Sequence, residues 1–257
     1  MPDGPDIPEV EHEAFARPPL KAMLGQVRFP PVLRIADLGS LGGFQDAIGE
    51  TWPEFAQEQQ FSVVVGPGGA QQAGATHAFR FTAADGAWSA LLTPETLTLE
   101  AAEGERYTSY REFRERFGQV WGAVLEHFRP RAALQQGLRY VNHIERDLAV
   151  GDWQSLVNPE LLGPLTSGLG KGLVQAMSDL RYEMDDDILV FKHGLVPAGP
   201  ENKLGYLLDF DHFTQVQSED TSTDTLLARF DRYHQNVYAF FRWCVTERAL
   251  EEFRNGD

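Results

Sequence analysis

Apolar residues recur along this chain at two periods. At the helical period, Phe113, Phe117, Val120, Trp121, Val124 and Leu125 form one stripe behind Thr108-Ser109. That pattern predicts a capped helix reaching Phe128 and stopped by Pro130. A second long stripe predicts a helix from about Thr223, its N-cap candidate, to Phe253. At the strand period, Leu24–Phe29, Phe61–Val65, His77–Thr82 and Trp88–Glu100 (bending at Pro94) read as strands in the first part of the chain. Gly137–Ile144, Leu173–Met184, Ile188–Leu195 and Leu204–Phe213 follow in the second. Phe44, Ile48 and Phe55 place a helical stretch from Leu41 to Gln60, broken in two by Pro53. Residues Trp153 to about Leu169 read as helical or irregular, interrupted by Pro159 and Pro164.

The links between strands are short and rich in Gly, Pro and Asp, as in Asp85-Gly86 and Asp185-Asp186-Asp187, so the sheet should be mainly antiparallel. Each half reads strand, helical segment, three strands, long helix. Val27-Arg28-Phe29 matches Leu138-Arg139-Tyr140, and Phe113, Val120, Trp121 and Val124 match Phe230, Val237, Tyr238 and Phe241 at one constant offset. The expected fold is therefore α+β. Two similar strand-helix-(three antiparallel strands)-helix halves, residues 19–130 and 131–257, would form a mainly antiparallel sheet covered by long helices as one pseudo-duplicated unit. Residues 1–18, acidic and proline-rich, read as a disordered or loosely docked tail.

Composition narrows the function classes. The 257 residues carry 22 Lys+Arg against 38 Asp+Glu, a formal charge of −16. That balance argues against a nucleic-acid backbone or an anionic membrane surface as the main partner. Cys244 is the single cysteine, which excludes an internal disulfide and favours a reducing cytoplasm. The N-terminus lacks the basic and apolar regions of a secretory signal. No apolar run is long enough to span a membrane.

The N-terminal Pro19-Leu20-Lys21 leading to Val27-Arg28-Phe29, the helix start Tyr110 to Phe113, the central Gly137-Leu-Arg-Tyr-Val-Asn142 and the late Tyr206-Leu-Leu-Asp-Phe-Asp211 resemble a sporadically distributed, functionally uncharacterised bacterial family of similar length. The resemblance covers the chain from about Leu20 onward. Its patchy distribution implies a place in accessory gene clusters, such as defence or toxin-antidote systems.

Three groups of residues are candidates for chemistry. Asp209 and Asp211 are one strand period apart, so they share a face and would suit a divalent cation or a shared proton, or would pair with Arg139 and Arg181. Arg28 and Arg139 hold matching positions in the two halves and would suit an anionic ligand, or would clamp carboxylates across strands. Tyr233, Phe240 and Trp243 belong to a C-terminal helix whose aromatics cover several faces; that helix is either buried between layers or part of an interface. Gly66-Pro-Gly-Gly69 lacks the Lys-Ser/Thr ending of a phosphate loop. The seven histidines lack zinc-site spacing, and no nucleophile elbow is present. The sequence thus points to a non-enzymatic cytoplasmic interaction protein, without cofactor, acting through a protein partner or self-association. A small anionic-ligand sensor with Arg28 and Arg139 between the halves is the alternative. A metal-dependent hydrolase using Asp209 and Asp211 is the third reading.

Overall fold

The computed structural model describes residues 4–8, 10–66, 69–101, 109–145, 150–198 and 203–255, with backbone alone for 60–66, 69–76, 150 and 151. The fold is α+β, with nine strands in one antiparallel sheet and four α-helices. In chain order the elements are β1 (Leu20–Arg28), α1 (Gly42–Ile48), β2 (Glu54–Gly66), β3 (Gly69–Thr82), β4 (Trp88–Leu92), β5 (Thr96–Ala101) and α2 (Tyr110–His127). Then come β6 (Gln135–Glu145), β7 (Ala176–Met184), β8 (Asp187–Ala198), β9 (Lys203–Thr214), α3 (Thr223–Cys244) and α4 (Glu247–Asn255). The sheet order is β2-β3-β4-β5-β1-β6-β9-β8-β7. No helix is long and apolar enough to cross a membrane among the described residues.

The antiparallel pairing of β1 with β6 is the seam of the sheet. Leu24 lies opposite Arg139 and Arg28 opposite Gln135. Alternation sorts these strands by face: Met23, Val27, Leu138 and Tyr140 are buried, whereas Gln26, Arg28 and Arg139 are exposed. On the buried side, α3 packs on β6 and β9, and α2 packs on β5 and on α3. The helix stripes meet where Phe230 stands edge-on to Phe113 and Phe117, at ring separations of 5.3 and 4.7 Å. Each fully buried aromatic there contributes on the order of 2–3 kcal/mol.

Several local expectations are corrected. The stretch from Leu41 to Gln60 is helical only over α1; from Glu54 the chain is strand. There Phe55 stacks against Phe79 across the ladder, 6.2 Å apart, so its partner is a neighbouring strand and not Ile48. The glycine-rich link after Val65 is largely ladder, with Gly66 opposite Gly69. Trp88–Glu100 is two strands. Pro94, without an N–H for the ladder, sits in a tight hairpin closed by Thr93 N–H on the Thr96 carbonyl at 2.9 Å. The first half therefore has four strands after its short helix and the second has three, preceded by 3-10 turns between residues 150 and 170. The last helix is broken at Val245, which turns extended and bridges to Val157. Ser222 caps it, accepting from Thr225 N–H. Ser109 caps α2, while Thr108 lies outside the described residues.

Of residues 1–18, expected as a disordered or loosely docked tail, residues 10–18 lie along α3 and α4. Glu13 donates its N–H to the Tyr238 hydroxyl at 2.8 Å and accepts hydrogen bonds from Arg242 and Arg254. Those guanidiniums, Arg254 foremost, hold the Glu13 carboxyl below the usual carboxylate range. Phe15 packs edge-on against Phe241 and Phe253, and Arg17 N–H donates to the Phe253 carbonyl. Such contacts between distant segments leave no trace in local composition.

Candidate functional site

The exposed sheet face carries the charged candidates. Arg139 grips Asp209 with two parallel bonds, Nε to Oδ1 at 2.8 Å and Nη2 to Oδ2 at 2.7 Å. Asp209 is only 6% exposed, so this pair satisfies a carboxylate the strand has taken out of water. Asp211, directly opposite Arg139 in the ladder, has its carboxyl pushed up by burial and by Asp209, against the opposing pull of Arg139. Among the described residues no cluster of three or more His, Cys, Asp and Glu is placed to hold a metal ion. Arg28 pairs with Gln135, four residues along β6 from Arg139. At about 3.4 Å per residue the backbones of the two arginines stand about 14 Å apart along the strand direction. Arg139→Ala, which leaves Asp209 buried without its partner, is expected to cost about 1–3 kcal/mol in urea unfolding.

The aromatic helix turns inward. Tyr233 is fully buried and Phe240 is 4% exposed. Trp243, half-buried, packs against the core. The helix needs several apolar faces because the sheet, α2, α4 and the leading segment all lie against it. Tyr233 and Phe240 are therefore interior residues of the chain, whereas Trp243 keeps part of its surface exposed. Tyr233 donates its hydroxyl to Asp187 at 2.7 Å and Arg232 pairs with the other carboxylate oxygen, which satisfies an aspartate only 4% exposed. His212 stacks on Tyr233 at 4.1 Å, with no hydrogen-bond partner for either ring nitrogen among the described residues. Burial pushes it down to about 4.

A cavity of about 130 Å³ opens where the leading segment crosses α3 and the start of α2, with β6 as its floor. Phe15, Pro18, Val237 and Phe241 give it apolar walls. The remaining lining is aromatic and polar. Tyr110 lies flat on His234, centroids 3.9 Å apart and 6° from parallel. His234 Nδ1 is 2.9 Å from the Tyr140 hydroxyl. His12 reaches over from the leading segment, its ring 5.0 Å from His234 and 4.5 Å from Tyr238. Burial, and secondarily the neighbouring His12, push His234 down to about 3; burial lowers His12 as well. Both imidazoles are therefore neutral near pH 7. Asn142 gives one amide hydrogen to the Leu208 carbonyl at 3.4 Å, and its amide oxygen has no hydrogen bond among the described residues. Glu13, the charged residue of the lining, is neutralised by its two arginines.

Such a lining suits stacking and hydrogen bonding of an uncharged ring. A bare anion or cation would lose its hydration there without a counter-charge. Sequence reasoning did not assemble this site, because its residues are drawn from positions 12, 110, 140–142 and 234–238. The available signal lay in β6, where Gln136, Tyr140 and Asn142 share the buried face with Leu138 and Ile144, polar groups on an otherwise apolar surface.

No family model matches the chain, and no curated protein matches it. Among solved structures, the di-domain ARO/CYC StfQ from the steffimycin biosynthetic pathway aligns at 8% identity over 91% of this chain and 98% of its own, with a TM-score of 0.18. A score that low carries neither fold nor function across.

Proposed function

We propose that the protein is a binding module that holds a small, flat, uncharged ligand beneath its leading segment. The observation that carries this reading is the cavity itself, lined by Tyr110, Tyr140, Tyr238 and His234 together with the amide of Asn142. A ring bearing an N–H or O–H would pack against that aromatic lining and donate to the Asn142 amide oxygen. Given that a water needs about 10–15 Å³ of such space, the volume suits roughly ten non-hydrogen atoms. This replaces the anionic ligand expected from Arg28 and Arg139.

The repeated construction belongs to the same proposal. Ser109 and Tyr110 come from the first half, β6 and α3 from the second, so the ligand would sit between two versions of one unit.

Indole is the probe of choice, a neutral bicycle with one N–H. Thermal unfolding in saturating indole is expected to show a raised Tm, whereas indole-3-acetate, which adds a carboxylate, leaves it unmoved. Asn142→Leu should abolish the shift while keeping the fold, since the residue is only 7% exposed and leucine is of similar size. An equal shift in Asn142→Leu, or no shift in the native protein, rejects the reading. Association with another polypeptide, the expectation drawn from charge and aromatic content, falls to a different element.

A further inference from the structure

β7 is the last strand of the sheet, bonded to β8 along one edge and to no strand along the other among the described residues. A nine-residue open edge is a template for another strand, and proteins ordinarily shorten, cover or bulge such edges. This one is long and exposed through its middle, from Met177 to Arg181, while Ala176, Tyr182 and Met184 pack partly against the core. Met177 is 42% and Leu180 38% exposed, and Ser178, Asp179, Arg181 and Glu183 are exposed around them.

We propose that this edge joins a second copy of the chain, β7 against β7, antiparallel about a two-fold axis through Leu180. Opposite residues in an antiparallel pair lie on the same face. A two-fold axis normal to the sheet keeps each face, so only registers centred on a residue are allowed. Centred on Asp179, the strand sets that carboxylate against its own copy. Centred on Arg181, it sets arginine against arginine and Asp179 against Glu183. Centred on Leu180, it sets Asp179 opposite Arg181 twice. That last register also pairs all nine residues, Ala176 opposite Met184, and brings the two exposed Leu180 side chains together on the axis.

The two charged groups are free to make the contact. Arg181 has no ion pair among the described residues and rests over the Phe213 ring at 6.0 Å. Among the described residues Asp179 is engaged by Lys192 alone, at 3.6 Å, with both side chains about half exposed or more. The dimer would extend the nine-stranded sheet through its edge without disturbing the cavity or the Arg139–Asp209 pair, so it stands independently of the ligand reading.

Sedimentation equilibrium of the full chain over a concentration series tests it. Near 0.15 M salt the Debye length is about 8 Å, so the repulsion of two chains of charge −16 is screened while adjacent pairs persist. The native protein is expected to be in concentration-dependent monomer-dimer equilibrium. Asp179→Arg or Arg181→Asp alone turns two attractive contacts into two repulsive ones and should raise the dimer Kd about tenfold or more. The double exchange Asp179→Arg with Arg181→Asp restores complementarity and should bring Kd back within about threefold of the native value. Leu180→Lys, which sets two ammonium groups together on the axis, should weaken the dimer independently of the ion pairs. All these positions are exposed, and unchanged thermal unfolding of the dilute variants shows that the monomer is intact. A native protein that stays monomeric at every concentration overturns the proposal. So do single variants that dimerise as tightly as native, or a double exchange that recovers nothing.

Discussion

Acidifying the protein from about pH 7.5 to about pH 5 is expected to lower its unfolding free energy by about 4 kcal/mol. The effect comes from His212 and His234. Both are held neutral by burial, at about 4 and about 3, against 6.5 for a free imidazole. Unfolding releases them to water, where they take up protons below pH 6.5. The stability they confer is therefore complete above pH 6.5 and drains away as the pH falls toward their folded values. At 1.36 kcal/mol per unit, each group costs about 2 kcal/mol by pH 5.

Neighbouring groups do not reverse the sign. Asp187 favours the charged form of His212, but Arg232 opposes it and burial outweighs both. Around His234 stand the rings of Tyr110 and Tyr238, the Tyr140 hydroxyl and the imidazole of His12, which further disfavours the charged form. Burial also lowers His12, His143 and His193, which add to the same slope. Asp211, raised by burial, works the other way and returns part of the loss. Glu13, Asp85, Glu145 and Asp220 are all lowered, so their contribution is lost only below the carboxylate range. Urea midpoints measured across this window should fall steeply for the native chain. They should fall much less steeply for the double variant His212→Phe, His234→Phe, which keeps only the smaller contributions of His12, His143 and His193. Equal slopes in the two proteins would remove these histidines as the cause.

The elements written most clearly in the chain are those fixed by their own periodicity. The stripe from Phe113 to Val124 became α2 within two residues, because one buried face and a serine cap settle a helix locally. The second strand set was equally legible: Ile188–Leu195 and Leu204–Phe213 are apolar runs bounded by turn residues, and they lie within β8 and β9. What was not legible depends on a distant partner. Phe55 lies at helical spacing from Ile48, yet the ring it stacks on belongs to Phe79. Glu13 looks like one more acid in a solvated tail until Arg242 and Arg254 close on it. The aspartates of β9 shared a face as their spacing required, and Arg139 was among the partners weighed for them. That the arginine engages Asp209 rather than its direct neighbour Asp211 is a matter of rotamer and burial beyond any spacing rule. The cavity fails for the same reason at larger scale: His12 and His234 meet only after the sheet, the helices and the leading segment have all been placed.

The sharpest test of the core lies at Gly25. A glycine inside a strand ordinarily weakens it, and replacement by alanine gains about 0.4–1 kcal/mol where the new methyl fits. At Gly25 the sign should be reversed. A β-carbon built there would lie 2.3 Å from Cζ of Phe113, well inside contact distance. The ring has nowhere to retreat. It is held by Tyr110 at 5.7 Å, Phe117 at 5.8 Å, Trp88 at 6.1 Å and, edge-on, Phe230 at 5.3 Å. Gly25→Ala should therefore cost about 1–3 kcal/mol as an overpacked site. Phe113→Ala empties the same volume from the other side and should cost about 3–5 kcal/mol. Because both substitutions act on one space between β1 and α2, their costs cannot add. Gly25→Ala in the Phe113→Ala background places a methyl in the vacated volume and should be neutral or stabilising. A double-mutant cycle read by urea unfolding would show that sign change. Additive costs would mean that β1 and α2 do not meet at this point, and that the glycine owes its place to the strand alone.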